Sequence, residues 1–162
     1  MIPSWLGVIS RQKIQRKAWP LFLILLFAVW WGGLTFYAVI VVPIGSDLTS
    51  SVEQGFVTQR VTYWHNWLLI LVTACSWMEA FMRRRLLGWV VAVMLLAVAT
   101  RLLFVHHHLS TLIDPAEQSV PAEFYRIHAA YLWLTTAEWL LGLVVAVIYV
   151  RDMSRLEHAP AS

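Results

Sequence analysis

Four stretches of the chain, about residues 18–43, 61–82, 86–106 and 129–150, are almost wholly apolar, and polar residues collect between them. Each reaches the roughly 20 residues that a helix rising about 1.5 Å per residue needs to cross a hydrocarbon core about 30 Å thick. The pattern predicts an all-α fold: a membrane-spanning four-helix bundle with short loops, formed as one domain over residues 18–154. A basic arm, 1–17, precedes it and a short tail, 155–162, follows. Ile2, Trp5, Leu6 and Ile9 give the arm an apolar side that suits an interfacial helix, although a disordered basic arm fits the same residues.

The connecting segments carry helix-start chemistry. Ser50-Ser51-Val52-Glu53 has the form of a capping box, which predicts that the second helix begins well before the membrane. Asp114-Pro115-Ala116-Glu117 reads as another start with proline at the first helical position, and Pro121 opens the last helix in the same way. The run from Ala18 to Pro43 is too long for the apolar part of a signal peptide and lacks a small-residue cleavage site, so it reads as an uncleaved signal anchor.

Composition agrees with this reading. Hydrophobic residues make up 60% of the 162 and charged residues 13%, against about 25% charged in soluble domains. A water-filled surrounding cannot accommodate that surplus, and four spans leave no room for a separate soluble catalytic domain. The net charge of +3 comes from basic clusters that flank the apolar runs, so the implied partner is the lipid bilayer and no nucleic acid.

Arg11, Lys13, Arg16, Lys17, Arg83, Arg84, Arg85, Arg151 and Arg155 all fall on one side of the four spans. The other side holds Arg60 and Arg126 among five carboxylates, so the positive-inside rule places both termini in the cytoplasm of the cell (inner) membrane. Trp19 and Trp89 then fall at the inner boundary and Trp64, Trp67 and Trp133 at the outer one, depths that suit amphipathic rings. Small residues four apart (Ala28 and Gly32, Ser76 and Ala80, Gly142 and Ala146) predict close helix approach. The single cysteine, Cys75, lies inside an apolar stretch and reads as a small packing residue.

Ionisable groups inside a membrane are costly and therefore mark candidate sites. Arg101 in the third span and Glu138 in the fourth lie within about one helical turn of each other in height, so they are expected to pair, either to fix the register or to relay protons or anions. In the fourth span His128, Tyr131, Thr135, Glu138 and Gly142 form one polar stripe expected to face the bundle interior. In the second, His65, Val72, Ser76 and Glu79 share a face beside Asn66 and Thr73, and Glu79 is placed to bridge to Arg83 one turn on. His65, His106, His107, His108 and His128 all fall near outer helix ends, where they suit haem or transition-metal ligation, a hydrated cluster or a pH-sensitive element. Three consecutive histidines sweep much of a helix, however, so one faces inward whatever its purpose. No phosphate-binding glycine loop, nucleophile elbow or clustered metal-ligand motif is present.

Phe124-Tyr125-Arg126-Ile127-His128 with the apolar run after it, and Trp31-Gly32-Gly33-Leu34-Thr35-Phe36-Tyr37 running on to Pro43, resemble the last and first helices of the transmembrane-protein-205-like group, together covering about a third of the chain. The resemblance implies a small four-span bundle with no established chemistry. Copper-resistance membrane domains and anthrone-oxygenase-like proteins place polar groups on a similar scaffold, but supply no motif found here. Three functions remain open: a non-enzymatic bundle acting through a homo-oligomer or a membrane-protein partner, a haem- or metal-binding redox protein using the outer histidines, and a small solute or proton transporter using Arg101 and Glu138.

Overall fold

The structure, a computed structural model, describes residues 4–113 and 121–157, with side chains described over 18–50, 53–113 and 121–151. Among the described residues there is no strand. The elements are α1 (Ser4–Phe36), α2 (Val42–Leu48), α3 (Ser51–Arg83), α4 (Leu86–Thr111) and α5 (Ala122–Glu157). Residues 4–17 form the first turns of α1 itself. The helix start predicted at Asp114–Glu117 lies outside the described residues, and so does the end of the tail, 158–162.

The first apolar run is longer than its pattern suggests. Instead of ending at Pro43 it continues through a π-helical turn, Tyr37–Val41, into α2, giving an apolar segment Ala18–Leu48. Proline has no N–H and its ring crowds the carbonyl four residues back. Just before Pro43 the ladder widens, with the Val42 N–H bonding Tyr37 O, and this slip carries the helix past the proline.

At the head of α3 both halves of the capping box form: Ser50 Oγ accepts from the Glu53 N–H at 3.3 Å, and the Ser50 N–H donates to Glu53 Oε2 at 3.0 Å. These bonds hold the exposed Glu53 carboxyl below its usual range. The α3–α4 turn is the arginine run, with Arg84 in the left-handed region (φ 51°) and its N–H on Ala80 O. Across this turn Gly88 packs on Ala80.

Helix α3 packs against α1 and α4, and α5 packs against the same two, so the four long helices close into a ring. Trp30, Leu69, Leu95, Leu102 and Glu138 are the largest fully buried side chains among the described residues. The outside is apolar: Leu21, Leu25, Val29, Leu86, Phe104 and Trp133, among many others, are exposed, far more than a protein in water tolerates. Ala18–Leu48, Leu86–Thr111 and Ala122–Arg151 are each long and apolar enough to cross a membrane. They fit an integral, multi-pass membrane protein in a lipid bilayer. Helix α3 falls outside that set because it carries the polar groups of the interior: Asn66 and Thr73 are buried, and His65, Ser76 and Glu79 are half-buried.

Helices α1 and α5 are zipped by tryptophan. Trp31 stacks on Trp139 with centroids 5.4 Å apart; Trp31 Nε1 donates to Trp139 O at 3.0 Å, and Trp139 Nε1 donates to Thr35 Oγ1 at 2.9 Å. The Trp31 ring lies directly on Gly142, where a methyl group would overlap it. Gly142→Ala is therefore expected to displace Trp31 and lower stability by about 1–3 kcal/mol. Thermal unfolding in detergent reads this loss, and an unchanged melting temperature would show that the close approach is not required.

Candidate functional site

The polar stripe of α5 does face inward. Tyr131, Glu138 and Gly142 are buried and Thr135 and His128 are half-buried, because the i, i+3, i+4 spacing aligns them on the side turned to α1 and α3. Glu138, 1% exposed, is the hub. Its Oε1 accepts from Trp30 Nε1 of α1 at 2.8 Å and lies 2.9 Å from His65 Nε2 of α3. An indole N–H can only donate, so Oε1 is the acceptor of the Trp30 bond. Among the described residues the second oxygen, Oε2, has no hydrogen-bond partner.

Arg101 is not part of this centre. It is exposed on the outer side of α4, while the inward side of that helix is Val91, Ala92, Leu95, Ala99, Leu102 and Leu109. In place of the ion pair expected between Arg101 and Glu138, the carboxylate is hydrogen-bonded to His65. Equal height along two helices does not imply facing sides, and Arg101 points about a third of a turn away from its buried neighbour Leu102.

The remaining polar groups extend towards the outer end. Tyr37 OH donates to Thr58 Oγ1 at 2.9 Å. The Thr62 hydroxyl donates to Thr58 O at 2.7 Å, which leaves its lone pairs towards His106 Nδ1 at 3.5 Å. Asn66, 2% exposed, sits against the Tyr131 hydroxyl, yet neither Oδ1 nor Nδ2 completes a hydrogen bond. A cavity of about 280 Å³ runs between α1, α3 and α5, bordered by Glu138, His65, Thr135, Tyr131, Thr62 and Tyr37. Val29 and Trp64, which also border it, are exposed on the lipid-facing surface, so the cavity opens sideways between α1 and α3.

The five histidines, for which haem or metal ligation is one of three readings, do not converge on one point. His65 is engaged by Glu138, His106 lies near Thr62 and Tyr131, His128 stacks on Phe124, and His107 and His108 are exposed. Among the described residues no group of three His, Cys, Asp or Glu side chains is placed to hold a metal ion. The Glu79 to Arg83 bridge forms as expected, and Trp19 Nε1 adds a bond to Glu79 Oε2 at 2.9 Å. Trp30 had no sequence signal beyond being one of ten tryptophans. Its role follows only from meeting a carboxylate.

Comparison with protein-family models, with curated proteins and with solved structures finds no match.

Removing the hub acceptor leaves a buried indole N–H and an imidazole unpaired. Glu138→Ala is expected to destabilise the protein by roughly 3–5 kcal/mol, whereas Glu138→Gln, whose amide oxygen still accepts, loses much less. Thermal unfolding in detergent separates the two, and equal losses would deny the hub its structural part.

Proposed function

We propose that the chain is a four-span bundle of the cell membrane with both termini in the cytoplasm, of the architecture its transmembrane-protein-205-like segments imply. Its working part is the Glu138–His65–Trp30 centre: a proton-exchanging site for a small, largely apolar molecule with a hydrogen-bonding head that enters from the bilayer. The observation that carries this reading is the buried carboxylate with one oxygen held by α1 and α3 and the other unpartnered, beside a cavity that opens to lipid. A carboxylate bonded to an imidazole can pass a proton between two states without leaving a bare charge in hydrocarbon. Tyr37, Tyr131 and Thr135 offer hydroxyls to a bound head group, and the apolar walls offer burial to its body.

The fourth crossing is supported by the ring closure. Helix α3 lies along α1 and α4, its polar side turned inward, and the tight arginine turn returns the chain into α4. Crossing with its neighbours satisfies its backbone and hides its polar groups. The nine basic residues on one side support the orientation.

A pH change should produce an infrared difference band of a carboxyl C=O stretch that Glu138→Gln removes; its persistence in that variant would take proton exchange away from Glu138. For the topology, cysteines placed at Ser10 and Ser162 should react with a membrane-impermeant maleimide only from the cytoplasmic side, with Cys75 buried as the silent background. Labelling of the two tails from opposite sides would refute the four-span arrangement.

A second reading, association with another copy or a membrane partner, is favoured by Arg101. A guanidinium exposed at mid-helix in α4, with no partner among the described residues, is covered in an assembly or reaches the outer interface along its stem. Under the assembly reading Arg101→Leu shifts the native mass in mild detergent from a multimer to a monomer. A wild-type monomer at every concentration would sink it.

A further inference from the structure

A second cavity lies away from Glu138. About 690 Å³ in volume, it sits at the arginine end of the bundle and is bounded by all four long helices. It exists because α3 and α4 present small residues there, Ser76, Ala80 and Gly88, opposite Pro20 of α1. The walls are apolar: Ile24 of α1, Val91 of α4, and Val145 and Ile148 of α5. Its rim carries Arg83 at the end of α3, Arg85 in the turn and Arg151 on α5. Among the described lining residues three arginines stand against one carboxylate, Glu79, which is held by the Trp19 indole and by Arg83. Ile24 and Leu87 line the space and are also exposed on the lipid-facing surface, which gives an acyl chain a lateral way in.

We propose that this cavity binds an anionic phospholipid, with one acyl chain between the helices and the phosphate among Arg83, Arg85 and Arg151. The two zones are stacked as they are in a lipid: an apolar slot, and above it guanidinium groups at the depth of a membrane interface. A guanidinium offers paired N–H donors that match phosphate oxygens. A free phosphate leaves the apolar slot unused, and a zwitterionic lipid brings a cation against three arginines. The site depends on the bilayer setting alone and stands apart from the Glu138 centre.

The purified full chain in a non-ionic detergent is titrated with phosphatidylglycerol, with phosphatidylcholine of the same chains, and with inorganic phosphate, and followed by native mass spectrometry and thermal unfolding. Phosphatidylglycerol is expected to bind one to one and raise the melting temperature. Arg85→Gln with Arg151→Gln is expected to weaken it roughly 10- to 30-fold, at about a kilocalorie per arginine. Gly88→Leu removes no charge and directs a side chain into the slot, since a Cβ there meets only Ala80 at ordinary contact; it is expected to abolish binding. The proposal falls if phosphatidylcholine binds equally, if phosphate alone gives the same stabilisation, or if Gly88→Leu leaves phosphatidylglycerol binding intact.

Discussion

One carboxylate oxygen holds three helices in register. Oε1 of Glu138 on α5 takes the Trp30 indole of α1 and the His65 imidazole of α3 at 2.8 and 2.9 Å. In an apolar interior an unpaired polar group costs several kcal/mol. Sliding α1 or α3 by one turn would strand at least one of the three groups, so the bundle has one arrangement in which all are satisfied. Helix α4 then completes the ring through apolar contacts, with Leu95 and Leu102 fully buried.

A buried ionisable pair is weak evidence for stability, because apolar residues of equal volume often serve as well. The α1–α5 contact has other support in the Trp31–Trp139 stack, its two indole hydrogen bonds and the flat face of Gly142. The Glu138 centre is thus more than the structure needs for cohesion. Its unpartnered oxygen beside a laterally open cavity, with an orphaned Asn66 nearby, is what supports the proposal of a site there.

How much of this was legible differs from residue to residue. The α5 stripe could be read from its spacing, since an otherwise apolar helix with one polar side has only one side to turn inward. The capping box at Ser50 and the Glu79–Arg83 bridge are local in sequence, and both form. Arg101 was misassigned because α4 is apolar all round: with no polar side to orient it, depth was the sole guide, and depth says nothing about rotation. The histidines share a depth without sharing a direction. Their Cα positions lie near the outer ends, yet the His65 side chain reaches inward to Glu138 while His107 and His108 turn outward.

The amino-acid sequence by itself determined the helical class, the bilayer as solvent, the capped start of α3 and the inward side of α3 and α5, because these follow from hydropathy, spacing and caps within a few turns of chain. Only the tertiary structure decided that Glu138 pairs with His65 and Trp30, that Trp31 needs Gly142 bare, and that arginines from α3, the turn and α5 ring one cavity. The two Glu138 contacts alone join residues 73 and 108 positions apart. They depend on how each helix is rotated about its axis, which is set by packing against neighbours rather than by any local pattern.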